Sequence, residues 1–105
     1  MTWIEKIINA HRTVTDSVSH YEKIKSDRYF VWAEESKEGL MANNSHKETA
    51  VSGTTDLFTK IEFDPWKTAL EIAFDFYGIA YSLNSVQYEE ETGFIHYEWL
   101  WQVSG

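Results

Sequence analysis

Four histidines, 17 acidic side chains and no cysteine bound the chemistry open to this 105-residue chain. His11 and His20 lie nine residues apart on one predicted helix, about 180° apart around its axis, so they cannot share an ion. His96 and Glu98 alternate on a predicted strand and point the same way, which would make half of a zinc site. No third ligand is forced by spacing, and a cross-strand polar ladder is the simpler account. Glu89-Glu90-Glu91 carries oxygens suited to calcium but lacks the alternating Asp/Asn loop with its central glycine, so it reads as a solvated turn. No serine sits in a Gly-x-Ser-x-Gly elbow, and no glycine-rich loop is built to cradle phosphate. The absence of cysteine excludes disulfides, thiolate metal sites and cysteine nucleophiles. Glu34, Glu35 and Asp75 read as exposed rather than as a catalytic carboxylate pair. The expectation is a protein that is not an enzyme, with no catalytic, cofactor-binding or metal-binding residues.

The elements that would position these side chains are better marked. Two alternating runs, 79–88 and 94–103, flank Glu89-Glu90-Glu91-Thr92-Gly93 and read as a β-hairpin, with Gly93 supplying the positive φ of the turn. Thr2-Trp3-Ile4-Glu5 is a capping box. Ile4, Ile7, Ile8, His11, Val14, Val18 and Tyr21 follow at helical spacing, predicting a helix from Trp3 to about Ser19 whose far end is weakened by β-branched residues. A basic connector with Lys23, Lys25 and Arg28 leads to a strand over 29–34. The segment 35–47 shows no periodicity and is expected to be a flexible loop. A second strand region spans 49–61, with Gly53 suggesting a bulge or bend. Asp64-Pro65 starts a second helix, Trp66, Ala69, Leu70, Ala73, Phe74 and Tyr77 form its buried stripe, and Gly78 ends it. The order α-β-β-α-β-β predicts a single α+β domain over 1–105, a four-stranded antiparallel or mixed sheet packed against two helices.

The 12.3 kDa chain can bury about two-thirds of its extended surface, enough for one core without staples. It opens without an apolar leader and contains no run of 18 apolar residues, so neither a cleavable signal nor a membrane span is expected. Its net charge of −8 is uneven: residues 1–60 carry nine acids and eight bases, whereas residues 61–105 carry eight acids and Lys67 alone. Such a half is unsuited to gripping phosphates and suits solubility, repulsion of DNA or a basic partner.

Two groups of residues are candidates for contact with partners. Trp99 and Trp101 share a predicted face with Tyr97 and Val103; under a helix they are core, and otherwise they form an aromatic patch of the kind enriched at interfaces. Leu40 and Met41 are apolar residues within the longest polar loop, placed either to tuck back onto the domain or to dock into a neighbour. Glu89, Glu90 and Glu91 are the candidate acidic surface.

The stretch from Gly53 to Pro65 (Gly-Thr-Thr-Asp-Leu-Phe-Thr-Lys-Ile-Glu-Phe-Asp-Pro) resembles small structural proteins of long-tailed bacteriophages and prophages. So does the segment from Ser85 to Trp99 (Ser-Val-Gln-Tyr-Glu-Glu-Glu-Thr-Gly-Phe-Ile-His-Tyr-Glu-Trp). Size, element order and lack of catalytic residues, over about residues 3–103, are similar to the tail terminator (tail completion) family, including its lambda-like type. The resemblance implies a hexameric ring that caps the tail tube, stops its polymerisation and meets the head connector. The implied partners are further copies of the chain, the tail tube protein and the head connector protein. DNA would pass through the ring without specific binding, and the implied locations are the virion and, during assembly, the bacterial host cytoplasm. An acidic half lining the lumen would keep DNA from sticking. The other readings are a different minor head–tail joining protein, a monomeric acidic binding module or inhibitor, and a small ligand-binding domain or enzyme with an aromatic pocket.

Overall fold

A computed structural model describes residues 1–35 and 50–105. Helix α1 spans Trp3–Val14, and strands β1, β2 and β3 span Val18–His20, Arg28–Glu35 and Ala50–Thr59. Helix α2 spans Trp66–Phe76, and β4 (Ala80–Glu89) and β5 (Phe94–Ser104) form the hairpin. The sheet has five strands in the order β1-β2-β3-β5-β4, with β1 parallel to β2 and every other pair antiparallel. Among the described residues the chain is thus α+β with two helices and a mixed sheet, and the strand missing from the four-stranded expectation is β1.

The first helix opens on the capping box: Glu5 N–H donates to Thr2 Oγ1 at 3.2 Å, and Thr2 N–H to Glu5 Oε1 at 2.9 Å. It ends at Val14 rather than near Ser19. Three β-branched residues in a row, Thr13, Val14 and Thr15, disfavour continuation, and Thr15 turns extended at φ −161°. His20 therefore stands on β1, not on the helix. Left-handed Tyr21 (φ 75°) then ends the strand after three residues.

The second helix is capped by the Asp64 carboxylate, whose Oδ1 accepts the Trp66 N–H at 2.9 Å, although the helical hydrogen-bonding register begins one residue later than proline at N1 implies. It closes in a Schellman motif: Gly78 (φ 71°) N–H donates to Asp75 O, and Ile79 N–H to Phe74 O at 2.8 Å. The hairpin turn is as expected, with Gly93 at φ 80° and its N–H on Glu89 O.

Gly53 makes no bulge. The register of β3 runs unbroken against both neighbours, and the irregularity lies instead between Leu83 and Ser85, where Asn84 is the extra residue. Glu35, placed in the loop by sequence, is the last residue of β2.

Both helices cover one face of the sheet. The main core there joins Ile7 and Ala10 of α1, Leu70 and Phe74 of α2, and Phe30, Leu57, Trp99 and Trp101 of the sheet. A buried polar relay crosses it. Trp101 Nε1–H donates to Thr55 Oγ1 at 2.9 Å, Thr55 donates to His11 Nε2 at 2.9 Å, and His11 Nδ1–H donates to Ile7 O at 2.7 Å. The direction follows from a neutral ring, and burial pulls the His11 pKa down to about 4. The opposite face carries a small cluster of Tyr29, Val31, Phe58 and Phe94, with Lys23 over Phe58 and Lys60 over Phe94.

Candidate functional site

Trp99 and Trp101 lie beneath the helices, fully buried, so they are core and offer nothing to a partner. The indole of Trp99 donates to Glu71 Oε2 of α2 at 3.0 Å, tying the hairpin to the helix. The interface alternative for this pair is corrected by the helices' choice of face. Leu40 and Met41 lie outside the described residues.

Glu90 and Glu91 are exposed at the hairpin turn, and Glu89 is half-buried at the end of β4. His96 bridges this end to the sheet interior: its Nε2 is 2.8 Å from Asp56 Oδ1, its Nδ1 is 3.8 Å from Glu89 Oε2, and its ring stacks on Phe58. Glu98, on the same face, accepts from Asn84 Nδ2. These pairs form a polar ladder on the sheet face opposite α1 and α2. Among the described residues, no cluster of three or more His, Asp or Glu side chains is arranged to hold a metal ion, and no helix is long and apolar enough to cross a membrane.

Exposed apolar side chains flank β4, which among the described residues ends one side of the sheet as an edge strand of ten residues. Leu83, Val86 and Tyr88 pair with Trp99, Tyr97 and Ile95 and so point to the helix side, where α2 does not reach far enough to cover them. Val86 lines a groove of about 430 Å³ together with Phe63, Pro65 and Thr68. Phe63 is 93% exposed and held at φ 54°, so both its side chain and its backbone stand in unfavourable environments. Ile72 and Phe76 are exposed on the other side of α2, where they line a separate shallow groove with Thr13 of α1. The sequence carried a signal for this strip, the row of apolar residues on β4, but its meaning depends on which face the helices take.

What holds Phe63 in place is the ion pair beside it. Arg28 clasps Asp64 with two hydrogen bonds of 2.9 and 2.6 Å, Thr59 Oγ1–H adds a third at 2.7 Å, and the guanidinium lies 3.8 Å from the Trp66 ring. Burial pushes the Asp64 carboxyl up, but Arg28, the Trp66 N–H and Thr59 together hold it below its ordinary value. This cluster locks the ends of β2 and β3 to the start of α2.

A second concavity, a cleft of about 620 Å³, lies at the other edge of the sheet between α1 and β1. Its deepest ring is Trp32. The His20 imidazole is sandwiched between Trp32 and Tyr21, at centroid distances of 3.9 and 3.8 Å. Glu34 Oε1 takes the His20 Nε2–H at 2.7 Å, and Oε2 takes the Tyr21 hydroxyl at 2.6 Å. The Tyr21 and His20 hydrogen bonds hold the Glu34 carboxyl below its usual range, and the same bond to Glu34 raises the Tyr21 phenol. Glu34, which reads from sequence as a solvated charge, is the hub of this cluster. The cluster went unseen because His20 sits on a strand too short to show a period.

No protein-family model, curated protein or solved structure significantly matches the chain.

Proposed function

We propose that the chain is a non-enzymatic subunit of a phage or prophage virion, a tail terminator that assembles as a ring at the head-proximal end of the tail tube. There it would end tube polymerisation and join the head connector. The observation that carries this reading is the ten-residue edge strand β4 with the exposed Phe63, Val86 and Tyr88 beside it, a surface that gains by pairing with another chain. A ring requires heterologous contact, in which the β4 flank of one copy meets a different surface of the next at an angle that closes. The uneven charge supports a surface that repels DNA passing through such a ring. The experiment is mass measurement of the protein alone and mixed with tail tube protein. Rings, or a monomer that becomes a ring on tube ends, support the proposal; a monomer indifferent to tube protein ends it. A second reading, a monomeric module that binds a basic partner, rests on the exposed Glu90-Glu91 turn and is favoured if the monomer binds a cationic protein instead.

A further inference from the structure

The cleft beside β1 is distinct from the β4 flank and lies at the opposite edge of the sheet. Its floor is apolar, made by Ile4 and Ile8 of α1, Val18 of β1 and Trp32 of β2. Val18, Ser19 and His20 all line it, although consecutive strand residues point to opposite faces. The strand therefore presents main-chain as well as side-chain atoms to the cleft. The main-chain bonds agree. Phe30 N–H reaches Ser17 O and Tyr21 N–H reaches Trp32 O, so residues 17 and 21 turn their polar groups toward β2. Alternation turns those of Val18 and His20 outward, and Val18 N–H is satisfied locally by Asp16 O at 2.9 Å. That leaves Val18 O, His20 N–H and His20 O on the side of β1 away from β2, at the sheet's edge beside the cleft. Left-handed Tyr21 ends the strand there, and its hydroxyl, with His20, fixes Glu34 at one end of the groove. At the other end Arg12 and Asp16 pair with each other.

We propose that this cleft receives an extended peptide segment of a partner protein, which adds to β1 as a sixth strand. One apolar side chain of the segment lies over Val18, Ile8 and Trp32, and a lysine or arginine lies against Glu34. The charge follows from the rim: Arg12 and Asp16 cancel, whereas Glu34 keeps its negative charge, because both hydrogen bonds it accepts favour the carboxylate. Main-chain bonds supply affinity, and the floor and Glu34 supply selectivity. The inference goes beyond the assembly role and stands whether or not the chain forms a ring.

The test uses the intact protein and a displayed library of random peptides, with the enriched peptide resynthesised. The expected consensus alternates, with an apolar residue two positions from a lysine or arginine, and its binding shifts the amide resonances of Val18, Ser19 and His20. N-methylation at alternate residues of the peptide weakens binding by about tenfold or more, the loss of main-chain hydrogen bonds. Ile4→Lys, a change at a partly exposed helix position, weakens it similarly while leaving the melting temperature in place. The proposal is overturned if no peptide is enriched or if N-methylation leaves binding unchanged. A helical consensus, or binding lost in Val86→Lys but kept in Ile4→Lys, overturns it equally.

Discussion

Gly53 and Trp101 are directly paired residues of β3 and β5, and the indole occupies the space where a side chain on residue 53 would lie. A β carbon there would overlap Cζ2 and Cη2 of the ring and the carbonyl oxygen of Ala33. The ring cannot swing aside without breaking its bond to Thr55. Gly53→Ala should therefore cost about 2 kcal/mol or more, read as a lower denaturation midpoint at unchanged slope. A variant as stable as the parent would show that the ring has another resting place.

The His11 relay makes stability depend on pH. Its folded pKa of about 4 lies below the ordinary 6.5, so the folded state binds fewer protons in that interval. Its contribution is complete above 6.5 and is lost as pH falls from 6.5 toward 4, by an amount on the order of 3 kcal/mol. Carboxylates titrate in the lower part of the same range, so the contrast with His11→Gln isolates the histidine. The difference between the two stability curves should narrow as pH falls from 7 to 4; parallel curves refute a neutral buried ring.

Arg28 and Asp64 should behave as one unit. Asp64→Asn is expected to cost about 2 kcal/mol, because it leaves a half-buried guanidinium without its carboxylate. Adding Arg28→Met should recover part of that loss, so a double-mutant cycle gives a sizeable coupling energy. Additive effects would mean that the pair is decorative. Because the folded Asp64 pKa is depressed, its contribution is present above its ordinary 3.8 and is lost as pH falls through its lower folded value.

Much of this architecture could be read from local pattern, and the failures share one cause. The hairpin and the second helix declare themselves within a few residues, through alternation, Asp64-Pro65 and Gly78. Gly53 does not, because the reason for its missing side chain stands on a strand 48 residues further along. The three residues of β1 are too few for a period, and Val18 falls by coincidence at helical spacing from Val14. Trp99 and Val86 carry the same apolar signal on facing strands. Only the placement of α2 makes the first a core residue and the second a surface one.

The β4 flank should separate assembly from folding. Val86→Lys and Phe63→Gly alter exposed positions, so each should leave stability within about 0.5 kcal/mol of the parent. Glycine at 63 also relieves a left-handed backbone, which offsets its greater freedom in the unfolded chain. If the chain assembles as proposed, both should weaken ring formation on tube ends in sedimentation or mass measurements. Intact assembly in both variants would remove β4 from the interface, and a large fall in melting temperature would place these side chains in the core.

The hydrogen-bonded path from Trp101 through Thr55 to His11 gives the molecule an optical gauge of its own. The indole N–H senses a hydroxyl whose orientation is set by a ring on the first helix, so detaching that helix alters the polarity around Trp101. Replacing the other four tryptophans by phenylalanine, where the fold tolerates it, would turn Trp101 emission into a label-free record of whether that helix is seated.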